Sequence, residues 1–146
     1  MAALTGIITC QLLEGQVELA EQQLDFLKEV QRSLGTAPDI LYLSAVLNRL
    51  KQQPAEKSIM LLNEAIENHY KQLRGLGFGT TYLAALNPDF LLMIVQECLI
   101  YAPIKDSLSS STETEAMASG GGLSFTLVKR CAMVLESVCQ VHIFFY

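Results

Sequence analysis

Apolar residues recur at helical spacing along nearly the whole chain, and Gly or Pro interrupts them often enough to force short paired helices. Residues 3–13 read as a first helix, closed by Glu14-Gly15-Gln16, because glycine tolerates the left-handed backbone that ends helices. Val17–Ser33 reads as a second. Val17, Ala20, Leu24 and Leu27 fall on one stripe, and Leu19, Phe26 and Val30 on a second. Two apolar stripes predict a helix contacted from two sides. Glu18, Glu21, Asp25 and Glu29 occupy the remaining face, most simply as a solvated row.

Gly35 suits the end of that helix and Pro38 the first position of the next. Asp39–Lys51 is the expected third helix, with Ile40, Leu41, Leu43, Val46, Leu47 and Leu50 as its apolar set. Gln52-Gln53-Pro54 turns the chain into a fourth, Ala55–Arg74, whose inward residues are Ile59, Leu62, Ala65, Ile66 and Leu73. Gly75-Leu-Gly-Phe-Gly79 ends it. This glycine run follows a helix and lacks a Lys-Ser or Lys-Thr pair, so it reads as a cap and turn rather than a phosphate loop. Asn87-Pro88-Asp89 carries the residues of a helix start, with Asn as N-cap and an acid in the first turn. Phe90–Ala102 follows, apolar nearly all round and therefore expected to be buried between neighbours. Residues 105–122 are rich in Ser, Thr, Gly and acid and read as a flexible linker, in which Ser109, Ser110, Ser111 and Thr112 could accept phosphate. A last helix is expected over Leu127–Gln140, with Leu127, Cys131, Val134, Leu135 and Val138 in period. The expected organisation is therefore helical repeats over 1–104, a linker over 105–122, and a C-terminal helix with an apolar tail over 123–146.

The first two helix pairs superpose with a shift of 38 residues. Ala20 falls on Ser58, Leu24 on Leu62 and Leu27 on Ala65; in the preceding helices Leu4 falls on Tyr42, Ile7 on Ala45, Ile8 on Val46 and Leu12 on Leu50. The small residue at Ala20 and Ser58 fits a close crossing of two helices. Gly15 supplies the tight turn of the first pair, and Gln53 with Pro54 that of the second. Helix pairs repeating at about 34 residues are the mark of a tetratricopeptide array. The expected fold is all-α: stacked antiparallel helix hairpins of the tetratricopeptide-like α-solenoid type.

Charge narrows the function. A net charge of −5 with only ten basic residues gives phosphate backbones no patch to hold, so nucleic acid is not an expected partner. Cys10, Cys98, Cys131 and Cys139 form no C-x-x-C pair, and His69 and His142 are the two histidines. A structural zinc is not expected, and the cysteines read as buried, reduced thiols. His69 lies beside the inner stripe of the fourth helix and reads as a packed histidine. No nucleophile–base pair is apparent, and Ser107–Ser111 sits in no nucleophile elbow. The expectation is a non-enzyme without cofactor or small-molecule substrate, which binds proteins through residues the sequence does not name. No signal peptide is expected at the N-terminus. Phe90–Tyr101 is too short to span a bilayer, and Leu123–Tyr146 carries charges near its middle, so no membrane span is expected.

Several stretches resemble the tetratricopeptide repeat protein 21 family: Gly6-Ile-Ile-Thr-Cys-Gln-Leu-Leu-Glu-Gly15, Ala20-Glu-Gln-Gln-Leu-Asp-Phe-Leu27, Leu61-Leu-Asn-Glu64, Gln72-Leu-Arg-Gly-Leu76 and Leu86-Asn-Pro-Asp-Phe-Leu-Leu92. The resemblance covers roughly residues 4–103, with a weaker echo in 127–136, and its motifs are structural. It implies a piece of a long all-helical array. It also implies the function of that family's members, the large repeat subunit of intraflagellar transport complex A, acting in retrograde ciliary transport and cilium assembly. Partners would then be other subunits of the complex, and the location the cytoplasm, cilium and ciliary base. Two other readings exist. One is a generic co-chaperone-type module gripping acidic peptides through Asn48, Arg49 and Lys51 with Thr5 and Thr9. The other is a truncated product whose Ile143-Phe-Phe-Tyr146 end favours aggregation.

Overall fold

The computed structural model describes residues 2–31, 37–102 and 121–143. Gly35, the segment 103–120 with its candidate phosphate acceptors, and the Phe144–Tyr146 end lie outside them. Among the described residues there are seven helices: α1 (Ala2–Leu13), α2 (Val17–Gln31), α3 (Pro38–Leu50), α4 (Ala55–Leu73), α5 (Thr80–Leu86), α6 (Pro88–Ile100) and α7 (Gly121–Ile143). They fall into two compact units, Met1–Asn87 and Pro88–Tyr146.

The first unit holds two helix hairpins, α1/α2 and α3/α4, with α3 packed against α1, α2 and α4. Its core is built from the expected stripes. Ile8 and Leu12 of α1, Ala20, Leu24 and Leu27 of α2, and Ile40, Leu43 and Leu47 of α3 form one buried cluster. Ile59, Leu62, Ala65, Ile66 and Leu73 of α4 are also buried. Pro38 opens α3 at its first position, where its missing N–H costs no hydrogen bond. The paired positions Ala20/Ser58, Leu24/Leu62 and Leu27/Ala65 are all buried. Ser58 Oγ donates to the Ala45 carbonyl of α3 at 3.3 Å, so the helices of this hairpin cross with backbone within reach of a small side chain.

The two turns repeat bond for bond, but with a shift of 37 rather than 38. Glu14 N–H donates to Cys10 O, Gly15 N–H to Leu12 O and Gln16 N–H to Gln11 O; Lys51, Gln52 and Gln53 donate in the same way to Leu47, Arg49 and Asn48. The bond in each turn that reaches five residues back is that of a Schellman cap. The left-handed residue is Gly15 (φ 76°) in the first turn and Gln52 (φ 54°) in the second. Gln52, not Gln53, is therefore the counterpart of Gly15. The second connection has four residues (51–54) against three (14–16), and the extra one restores the shift of 38 in the following helices. Burial agrees: Ile8 pairs with Ala45, both fully buried, whereas Leu50, matched to buried Leu12 by the longer shift, is exposed. A side chain in left-handed backbone costs about 1–2 kcal/mol, part of which glycine recovers. Gln52→Gly is expected to raise the unfolding free energy by about 0.5–1 kcal/mol, measurable by urea titration. A loss of stability would refute the assignment of this turn.

After α4, Gly75 takes a left-handed φ of 91° and the glycine run forms the expected cap and turn. The short helix α5 was not apparent from the spacing. Asn87, with φ 42°, ends α5 in left-handed backbone and directly precedes Pro88, the first residue of α6, so it closes one helix while standing at the N-cap position the motif predicts for the next. His69 is buried in α4, and its Nε2–H donates to the Leu86 carbonyl at 2.9 Å. That carbonyl is at the last turn of α5, where no intrahelical N–H is available.

The second unit is an antiparallel pair, α6 and α7. Phe90, Leu91, Ile94, Val95 and Cys98 of α6 and Leu127, Cys131 and Val134 of α7 are buried. The expectation that α6 is covered all round does not hold among the described residues: Leu92, Met93, Leu99 and Ile100 are exposed, because α7 is the one described helix of this unit that packs on it. Leu135, expected in the apolar period of α7, is exposed as well. Thr80–Ile100 is long and apolar enough to cross a membrane by composition alone, a test that the core helix of a folded unit also passes. It is broken at left-handed Asn87, and its second part buries a face against α7.

Candidate interaction surface

The residues that could act chemically are scattered. Among the described residues no three His, Cys, Asp or Glu side chains converge on a metal-sized site. The cleft between the start of α6 (Pro88, Leu91, Leu92) and α7 (Val134, Val138) is about 130 Å³, apolar and too small for a drug-sized ligand. His69 is committed to the Leu86 carbonyl. Partial burial pushes the Asp39 carboxyl above its ordinary range, and the nearby His69 pulls the other way.

The cysteines divide into two classes, which corrects the expectation that all are buried. Cys98 and Cys131 are buried and face each other across the α6/α7 pair; Cys10 and Cys139 are exposed. A hydrogen bond to Cys131, together with burial, holds the Cys98 thiol well above its ordinary range. Accepting that bond lowers Cys131. Thiolate reactivity requires access as well as ionisation. A colourless-to-coloured disulfide reagent is therefore expected to titrate two thiols rapidly in the native chain and the other two only with denaturant. Four equally fast thiols would contradict the packing of α6 on α7.

Two of the groups that would clamp an acidic peptide, Lys51 and Thr9, are engaged elsewhere. Lys51 Nζ lies 2.6 Å from Glu21 Oε1, tying the turn after α3 to α2. Thr9 Oγ1 donates to the Thr5 carbonyl of its own helix. Nothing in this geometry favours the co-chaperone reading.

What the first unit does offer is an apolar surface. The second stripe of α2 is not covered by another helix among the described residues: Leu19, Phe26 and Val30 are 45%, 65% and 49% exposed. The periodicity located the stripe correctly, and the expectation of a covering helix is what fails within the described residues. On α1, Ala3, Gly6, Ile7, Cys10 and Leu13 are all exposed, so that helix too presents an outward face without charge. Apolar periodicity does not single out this α1 face, although the absence of any charged residue from 2–13 is its signal.

Comparison with known proteins decides the family. The tetratricopeptide repeat protein 21 second ARM domain matches residues 1–142. The chain belongs to the tetratricopeptide repeat protein 21 family. It is 44% identical over 140 residues to tetratricopeptide repeat protein 21B of Homo sapiens, covering 96% of this chain and 10% of that protein. It is 48% identical over 143 residues to tetratricopeptide repeat protein 21B of Xenopus laevis, covering 97% of this chain and 10% of that protein. To tetratricopeptide repeat protein 21A of Homo sapiens it is 38% identical over 140 residues, with coverage of 96% and 10%. The chain thus spans about a tenth of the length of these relatives. The match also runs through 105–122, a stretch that the residues alone did not tie to the family. The helical-repeat character of the family agrees with the two hairpins of the first unit, and neither gives any sign of enzyme chemistry.

Proposed function

We propose that this chain is part of a protein-interaction scaffold, resembling the large repeat subunit of intraflagellar transport complex A in retrograde ciliary transport and cilium assembly. The observation that carries the reading is the line of exposed apolar residues on α2, Leu19, Phe26 and Val30, held by a helix whose other side is locked into the core. Exposed apolar residues in line on a rigid element mark contact surfaces, because water leaves them at a gain. Membership of the tetratricopeptide repeat protein 21 family supports the transport assignment, with other subunits of that complex as partners. The corresponding location is the cytoplasm, the cilium and its base.

The test is to express the tagged full chain in ciliated cells, image it, and identify the proteins recovered with it. Recovery of intraflagellar transport subunits together with signal at the ciliary base is the expected result. A chain that recovers none of them and stays away from the cilium would overturn the transport assignment.

A further inference from the structure

We infer that Cys98 and Cys131 are a reversible disulfide site, at which a peroxide joins α6 to α7. Leu91, Ile94, Val95 and Cys98 are buried on one stripe of α6, and Leu127, Cys131 and Val134 on one stripe of α7. Each cysteine therefore stands in the seam where the two helices pack. The register of the pair agrees. Leu91 and Val138 line the same cleft. Cys98 follows two turns further along α6, and Cys131 lies two turns back along antiparallel α7. The two thiols are free and hydrogen-bonded to each other, with Cys98 as donor. A disulfide needs two Cβ atoms turned toward each other at close range, and a hydrogen bond between side chains this short requires the same. Metal ligation is the other use of paired thiols, but among the described residues no third His, Cys, Asp or Glu converges on them.

The pair has an attacking and a resolving member. Accepting the hydrogen bond lowers Cys131, while donating it, together with burial and the neighbouring Glu97, keeps the proton on Cys98. The Cys131 sulfur attacks one oxygen of hydrogen peroxide and the O–O bond breaks. This leaves a sulfenic acid on Cys131, and the departing hydroxide takes the thiol proton as water. The Cys98 sulfur then attacks the Cys131 sulfur, the S–O bond breaks, and that hydroxide leaves with the Cys98 proton as a second water. Two thiols give up two electrons, and one peroxide becomes two waters. The oxidant must be small, because Cys98 and Cys131 are 1% and 3% exposed. The cleft of about 130 Å³ in the same seam admits molecules the size of water and peroxide.

The bond would change the second unit. Reduced, α6 and α7 are held by one apolar seam, and so small a unit opens readily. Oxidised, a covalent tie closes a loop of roughly 30 residues and removes open conformations. The exposed Leu92, Met93, Leu99 and Ile100 of α6 would then stand on a clamped helix pair.

The test uses the full chain with Cys10→Ser/Cys139→Ser, which leaves the two buried thiols. It is treated with hydrogen peroxide, digested without reduction and mapped by mass spectrometry. The expected result is a peptide linking Cys98 to Cys131 within one chain, abolished by dithiothreitol and formed in far lower yield when the chain is oxidised in guanidinium chloride. Hydrogen exchange of the α6 and α7 amides is expected to slow about tenfold or more on oxidation, with α1 to α4 unchanged. Cys98→Ala in the same background has no resolving thiol, and its exchange is expected not to slow. Its Cys131 should instead carry a sulfenic acid that dimedone traps. The inference is overturned by sulfinic acid at either thiol without the link, by equal yields of link in native and denatured chain, or by a linked chain whose α6 and α7 exchange as fast as when reduced.

Discussion

Replacing Leu62 by Ala is expected to lower the unfolding free energy by about 3 kcal/mol, within a range of roughly 2–5. Leu62 is fully buried in α4, at the position that repeats Leu24 of α2. Truncation removes the transfer energy of the lost carbons and leaves a cavity that α3 and α4 can close only in part, since α3 is also held by α1 and α2. Domains of this size retain about 5–15 kcal/mol in all, so the loss is large. Thermal melting followed by circular dichroism should show a midpoint lower by roughly 10 °C. Leu24→Ala is expected to behave alike, because the repeat places it in an equivalent setting. A shift of only a degree or two for either would mean that the hairpins are not packed as described.

Ser58→Leu is the second large effect, with an expected cost of about 3 kcal/mol. Ser58 is buried, and its hydroxyl reaches the Ala45 carbonyl of α3 at 3.3 Å, so a larger side chain meets backbone that cannot swing aside. Leucine must therefore push α4 off α3. Ser58→Ala supplies the contrast, since the repeat already uses Ala at the counterpart, Ala20. It forfeits one neutral hydrogen bond and should cost no more than about 1.5 kcal/mol. Urea titration of the three proteins reads the comparison directly. If Leu and Ala at position 58 gave the same stability, the close crossing would not exist.

Much of this fold can be read from residue spacing, and the limits have physical causes. Ala20 with Ser58 and Leu24 with Leu62 mark the repeat because burial at a helix crossing constrains both size and polarity. Pro38 marks a helix start because a helix's first N–H needs no partner. The turn register was one residue off because left-handed backbone, which the eye assigns to glycine, is taken by Gln52. Helix α5 has seven residues and no amphipathic period; part of its order comes from His69, 17 residues away from the carbonyl it binds. No local pattern reports such a contact. The α2 face shows a different limit. Periodicity tells that Leu19, Phe26 and Val30 share a side, but whether a neighbour covers that side depends on what else is present to pack there. The exposed apolar side of α6 follows the same logic. The legible part of the candidate surface is thus its chemistry, and the illegible part its vacancy.

The central claim is that the first unit presents a contact face to other proteins while its core stays intact. Recovery of partners from ciliated cells by wild type and by Leu19→Asp/Phe26→Asp, compared by quantitative mass spectrometry, tests it most directly. The expected result is that the variant keeps the helical spectrum and melting midpoint of wild type and loses the partners wild type recovers. Partners retained by a folded variant in undiminished amount would contradict the claim.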